Sequence, residues 1–404
     1  MIASPLQQFV RSVLEGFGKT IEDESKAYLV VDPIIAYLKL HQIPFGIKEF
    51  PLDPPFNQKY FACCAQIEPP GGSAIFGYSS GTSRTARAIA LIESFERYCF
   101  REIASNRELA GFSVADVQDV ERLDHLWAER VFGVQIIVSR RFFLGTRIVK
   151  GTFAAVDEVF ICGDDQQCPS TTSGIACHQS YPQAALAACL EIYERDTLLR
   201  NWFAGISPTQ IEVSDSSLEV LANDLVSSKG FSLELVGYLT ELGIPICIAT
   251  LRSEDERLFF WGSGSSLTWA QARSKAIREV LSIWIFDYLG QKKLGQEMIL
   301  SDENQIRRYA PHYDRMIEFF VTRARGSAPI QGVDFMSNEV LAGFFLHYDF
   351  ALVPIVVPGL NGDAPVIVKA FSPKAVSLFK KEFPLVLPAD FAMIVQGREP
   401  FHPY

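Results

Sequence analysis

Between Ala86 and Arg97, in ARAIALIESFER, helical spacing sets Ala86, Ala90, Glu93 and Arg97 on one stripe with Glu96 beside them. Carboxylates and an arginine above a track of alanines make a poor core face, because charge is not buried without a partner. They suit the close approach of something small, polar and positively charged. The pattern recurs. Ala184, Ala188, Glu191, Glu194 and Arg195 repeat all five identities, Ala184 standing 98 positions after Ala86. A third, partial copy, Ala272, Ala276 and Glu279, follows 88 positions later, with Ser282 and Ile283 where the second glutamate and the arginine would be. One isolated Glu–Arg pair at this spacing is usually a solvated surface pair; recurrence with the alanine track argues for a shared site. Five glutamates lining one cavity repel one another unless cations fill it, and carboxylate oxygens without imidazole or thiolate select Mg2+ or Ca2+. Mg2+ is commonly held by a few carboxylates plus phosphates, and Arg97 and Arg195 are suitable phosphate partners. The constellation reads as a nucleoside triphosphate with metal, held without a Walker loop, since no GxxxxGK[ST] occurs.

These side chains need elements to carry them. Each copy is preceded by a Ser-Gly pair, Ser80-Gly81, Ser173-Gly174 and Ser263-Gly264. The expectation is an apolar strand, a Ser-Gly loop presenting N–H groups to an anion, and a helix with carboxylates two turns in. Three such units would converge on one central site in a mixed α/β fold of the α+β type. Residues 1–72 read as an N-terminal lobe with helices at 5–16 and 27–40 and a strand at 43–50, broken by the prolines and glycines of 51–72. Residues 73–300 form the core. Strands are predicted at 73–78, 134–138, 147–156, 231–238, 245–251 and 258–261, an amphipathic helix at 214–228, and the third acidic helix runs to about Leu289. Residues 301–404 hold a helix reaching Arg323, strands at 351–357 and 365–370, a short helix at 373–381 and a proline-containing tail.

At 404 residues, 48% hydrophobic and 21% charged, the chain has the make-up of a folded soluble protein with a substantial core. A formal charge of −10 argues against nucleic acid or an anionic membrane as partner. The eight cysteines include no CxxC pair and the six histidines no HExxH, so neither a disulfide framework nor a zinc site is expected. Met1-Ile2-Ala3-Ser4-Pro5 lacks a basic lead and an apolar run, and the apolar region 340–360 is interrupted by His347, Asp349, Pro354 and Pro358. A cytoplasmic location is the expectation. A Cys177-His178 thiol dyad is disfavoured, because neighbours on a strand point to opposite faces.

The three Ala-x-x-x-Ala-x-x-Glu segments, and above all SGIACHQSYPQAALAACLEIYERD, resemble the YcaO-domain family over about residues 73–290. From Val357-Pro358-Gly359-Leu360 onward the resemblance is to its azoline-forming members. It implies an ATP- and Mg2+-dependent enzyme acting on a peptide backbone amide. Carried over, Glu93, Glu96, Glu191 and Glu194 would ligate Mg2+. Arg97, Arg195, Glu279 and Gln179 would contact ATP, with Ser80, Arg84 and Lys275 as further contacts. The first loop reads Ser79-Ser80-Gly81 where the family often has Gly-Lys-Gly, making Arg84 the substitute cation, and Lys275 stands where arginine is common. Lys275 and the chain terminus at Tyr404, after Pro400 and Pro403, take the catalytic positions. The implied reaction is attack of a Cys, Ser or Thr side chain on the preceding amide carbonyl. Phosphorylation by ATP and loss of phosphate then give a thiazoline or oxazoline, as in ribosomal peptide natural-product (bacteriocin-like) pathways. Implied partners are a precursor peptide, a leader-peptide-binding protein and a flavin dehydrogenase, in a homodimer or hetero-complex. Two alternatives stand beside this reading: peptide thioamidation with a sulfur-delivering partner, and a nucleotide-binding scaffold without catalysis.

Overall fold

A computed structural model describes residues 4–18, 28–51, 60–105, 121–122, 142–157, 173–211, 217–254, 258–286, 316–324, 337–357, 360 and 365–375. In chain order the helices are α1 (Pro5–Gly18), α2 (Tyr28–Leu40), α3 (Ser83–Ser105), α4 (Tyr181–Ala204), α5 (Ser217–Ser227), α6 (Trp269–Trp284) and α7 (Asn338–Tyr348), with a π-helical turn at Glu318–Thr322. The strands are β1 (Phe45–Pro51), β2 (Phe61–Ile67), β3 (Ile75–Gly81), β4 (Glu121–Arg122), β5 (Phe142–Arg147), β6 (Thr152–Asp157), β7 (Ile175–His178), β8 (Thr209–Gln210), β9 (Phe231–Leu239), β10 (Pro245–Ser253), β11 (Phe259–Ser265), β12 (Ala351–Ile355) and β13 (Val366–Phe371).

They build three sheets, ordered β1-β2-β3, β11-β10-β9-β8 and β4-β6-β5-β12-β13-β7. Among the described residues, only β4 and β6 pair in parallel. The mixed helix-and-sheet class expected from the sequence is what forms. Strand β2 pairs along its whole length with β3, from Phe61↔Gly81 to Ile67↔Ile75, so one sheet joins residues on both sides of position 72. The single strand expected at 147–156 is instead a hairpin, β5 and β6, turned where the Gly151 N–H donates to the Arg147 carbonyl. The strand expected at 134–138, most of the helix at 301–323, the short helix beyond position 375 and Tyr404 lie outside the described residues.

Local chemistry sets the helix ends that matter here. Pro182 occupies the first turn of α4, where a missing N–H costs nothing, and Gly205 closes it at φ 69°. Thr268 caps α6 by accepting from the Gln271 N–H at 3.3 Å. Helix α4 is buried on nearly every side, as suits a central helix. Ile192, Tyr193, Phe344, Phe345 and Phe350 share its core.

The alanine tracks do something the sequence reading missed. Ala86, Ala90, Ala184, Ala188, Ala272 and Ala276 are completely buried, so they leave no room for a ligand. They let helix and strand backbones touch. A Cβ on Gly77 of β3 would lie 2.2 Å from the Ala90 carbonyl oxygen, and one on Gly262 of β11 would lie 2.5 Å from the Val280 nitrogen. On α3 and α6, small residues on the helix and glycine on the strand bring Glu93 and Glu279 down onto the strands' N–H groups. Among the described residues six cysteines are free thiols, five of them buried, and no helix is long and apolar enough to cross a membrane.

Candidate active site

Each acidic helix bends its first glutamate back to the strand before it or, for α4, to the turn that leads into that strand. Glu93 Oε2 accepts from the Tyr78 N–H at 2.6 Å, Glu191 Oε2 from the Gly174 N–H at 3.1 Å, and Glu279 Oε2 from the Ser263 N–H at 2.7 Å. The second glutamates reach across to another strand. Glu96 Oε1 accepts from the Cys177 N–H of β7 at 2.6 Å. Glu194, 7% exposed, accepts from the Ser263 hydroxyl at 2.5 Å and from the Ser265 N–H of β11 at 2.7 Å. These bonds to anionic acceptors are the strong kind.

The Ser-Gly pairs therefore correct the sequence reading. Ser80-Gly81 ends β3, Ser173-Gly174 precedes β7, and Ser263-Gly264 lies within β11; none is a loop entering a helix. The N–H groups of Gly174 and Ser263 serve carboxylates of the protein, which leaves neither for an external anion. The Ser80 hydroxyl is fully buried, donating to the Arg278 carbonyl at 3.0 Å with the Tyr60 hydroxyl 3.1 Å away.

Electrostatics ties the glutamates into one cluster. Burial, with Glu191 and Glu93 nearby, holds the Glu96 carboxyl well above the usual range against the Cys177 N–H. Burial also raises Glu191, with Glu194 adding to the effect and Arg195 and Lys369 opposing it. Glu279 is pushed up to about 7 by burial, with Glu194 and Glu191 adding and Arg195 opposing. Lys275 is lowered by burial, and Glu194 and Glu191 work against that shift. Its ammonium donates to the Ser265 carbonyl at 3.0 Å. Arg195 lies 4.0 Å from Glu191, and Arg97 holds Glu93 at 2.5 Å and the Phe76 carbonyl at 2.6 Å.

Glu93, Glu96, Glu191, Glu194, Glu279, Arg97, Arg195 and Lys275 are thus brought together. Gln179 follows the end of β7, its N–H donating to His178 Nδ1 at 3.0 Å. Arg84 is exposed in the first turn of α3, and Tyr404 lies outside the described residues. Three participants escaped the sequence reading: the Ser263 hydroxyl, the Ser265 N–H and Lys369 of β13. A lysine inside the otherwise apolar run VIVKAF was the available signal for the last.

Among the described residues no three His, Cys, Asp or Glu side chains are already gathered as a metal-binding group. The donor set still fits Mg2+. Glu96 and Glu191 each spend one oxygen on a backbone N–H; among the described residues the other oxygen of Glu96 has no donor, and that of Glu191 has Arg195 4.0 Å away. Mg2+ needs only one or two carboxylates when phosphates and water supply the rest. A hard divalent cation would offset the burial and the mutual repulsion that raise these carboxyls.

No curated protein matches the chain in sequence. Its fold is similar to that of YcaO from Methanopyrus kandleri bound with AMPPCP and Mg2+, with a TM-score of 0.60 at 16% identity, covering 84% of this chain and 90% of that one. It is similar as well to a chain of the E. coli microcin synthetase McbBCD complex with pro-MccB17 bound, with a TM-score of 0.62 at 14% identity over 81% and 88%. A heterocyclase in complex with substrate and cofactor gives a TM-score of 0.56 at 14% identity, and there the match spans 81% of this chain and 50% of that one. At such identities the likeness is one of fold. The family model described as YcaO cyclodehydratase, ATP- and Mg2+-binding, matches residues 79–337. With its acidic helices folded onto their strands, the chain belongs to the YcaO family of ATP- and Mg2+-binding proteins.

Proposed function

We propose that this protein activates a peptide backbone amide at the expense of ATP, cyclodehydrating Cys, Ser or Thr residues of a precursor peptide to thiazolines or oxazolines. One observation carries the reading: in a chain of this family, buried glutamates of α3, α4 and α6 are held by backbone N–H groups of neighbouring strands, near enough to act on one another's charge. Structures of similar fold hold AMPPCP with Mg2+, or a peptide substrate within a synthetase complex, which supports the same reading.

Glu93, Glu96, Glu191 and Glu194 would hold Mg2+. When bound, Mg2+ screens phosphate charge, and ATP supplies the phosphoryl group that turns the amide oxygen into a leaving group. The chain's own residues do the rest. Backbone N–H groups fix each carboxylate before any ligand arrives, so no reorganisation is needed at the moment of reaction. Arg97 and Arg195 offer planar guanidinium groups to phosphate, while Gln179, Arg84 and Glu279 are further nucleotide contacts. Ser80, whose hydroxyl is committed to Arg278, contributes through the position of β3. Lys275, lowered by its burial, is suited to a proton transfer beside the cluster, and Tyr404 is the candidate base.

Incubating the full chain with ATP, Mg2+, a candidate precursor peptide and its leader-binding partner tests this by mass spectrometry. Loss of one water per modified residue, dependent on ATP, is the expected result. Sulfur-for-oxygen exchange would replace it with thioamidation. ATP binding without any change in the peptide, with every partner present, would leave a scaffold.

A further inference from the structure

Lys369 lies on β13, in register opposite Ile175 of β7, and is 5% exposed. Its ammonium donates to the Ser173 carbonyl at 2.5 Å and sits 5.4 Å from the centre of the Phe100 ring on α3. The next residue, Ala370, donates its N–H to the Gly174 carbonyl at 2.7 Å. The Gly174 N–H in turn donates to Glu191 at 3.1 Å. The Ser173-Gly174 turn is therefore clamped by β13 on one side and offered to Glu191 on the other. A buried ammonium is costly unless opposite charge is near; the Ser173 carbonyl and the Gly174 N–H belong to one peptide group, so Lys369 and Glu191 sit on opposite sides of it, with Arg195 4.0 Å from the same carboxylate.

We propose that Lys369 is a positioning residue and a resident counter-charge: it holds the Ser173-Gly174 turn against Glu191 and offsets that carboxylate until a divalent cation takes over the role. This rests on Glu191 as a metal ligand. A device that merely packed β13 against the turn would need the amine's reach and hydrogen bond, whereas a counter-charge must also oppose the incoming cation. The two roles part company in how Mg2+ binds.

The test is thermal unfolding of the full chain without nucleotide, with Mg2+ titrated from EDTA to saturation, for wild type, Lys369→Met and Lys369→Arg. Lys369→Met should melt below wild type in EDTA and gain more from Mg2+. Its half-effect Mg2+ concentration should fall by about tenfold, because a fixed positive charge no longer repels the ion. Lys369→Arg keeps the charge and should stay within about twofold of wild type whatever its melting temperature. A Lys369→Met half-effect concentration equal to or above that of wild type would overturn the proposal, even if the variant is less stable. If Lys369→Met does not fold in EDTA, recovery on adding Mg2+ supports the proposal and failure to recover refutes it. Should wild type itself ignore Mg2+, the metal-ligand reading of Glu191 falls first and takes this one with it. A normal wild-type response with an unshifted variant sinks this one alone.

Discussion

Two kinds of contact join the acidic helices to neighbouring strands. Where α3 meets β7 and α4 meets β11, a buried carboxylate crosses over, Glu96 to the Cys177 N–H and Glu194 to Ser263 and Ser265. Where α6 meets β3 the contact is neutral. The Ser80 hydroxyl donates to the Arg278 carbonyl, and Ser282, in the place of a second glutamate, donates to that same carbonyl at 2.7 Å. The neutral contact holds its helix as closely as the charged ones do. Architecture alone therefore does not require Glu96 and Glu194, and burying them near Glu191 and Glu279 works against folding. Carboxylates kept under such conditions point to a cation at the first two contacts and to a structural seam at the third.

The largest effect that sharpens this contrast is on catalysis. Glu194→Gln and Glu96→Gln should each cut ATP turnover by about a hundredfold or more, the range for losing a preorganised electrostatic group. Far-ultraviolet circular dichroism should stay that of wild type; activity within a fewfold of wild type would remove the charged contacts from the mechanism. Next comes Ser282→Glu, which puts a carboxylate into the neutral seam. It should cost about 3 kcal/mol in urea unfolding, the scale of an uncompensated buried charge, and Mg2+ should not restore it.

A pH dependence follows from Glu279. Its folded value near 7 lies above its ordinary 4.5, so its contribution to stability is present below pH 4.5 and lost as pH rises through about 7. Glu96 and Glu191 shift in the same direction. Metal-free protein should lose on the order of 3 kcal/mol over that window, and Mg2+ with an ATP analogue should flatten the slope. Stability that rises with pH in EDTA would contradict the buried-cluster description. The smallest effect is that of Ser80→Ala, which removes hydrogen bonds in the neutral seam. About 1 kcal/mol of stability should go, with ATP turnover changing less than about threefold. A loss as large as that from Glu194→Gln would erase the distinction between the contacts.

Much of this was legible in the chain because helical spacing is a local property. Glu93 to Arg97 and Glu191 to Arg195 announce their helices and shared face without reference to anything distant. What failed was non-local. The Ser-Gly pairs read as anion loops because nothing near them says that Glu191 and Glu279 fold back onto those N–H groups. The alanines read as ligand space because the glycine that meets one of them, Gly77 against Ala90, sits on a separate strand. Lys369 was hidden for the same reason, since its partner Ser173 is 196 positions away.

The central claim is that Glu191 and Glu194 hold the metal that brings ATP to this cluster. Isothermal titration of AMPPCP into wild type and into a Glu191→Gln, Glu194→Gln double variant, each with Mg2+ and with EDTA, tests it most directly. Wild type should bind the analogue only with Mg2+ present, and the double variant should lose that dependence together with most of the affinity. Equal Mg2+-dependent binding by the two proteins would contradict the account.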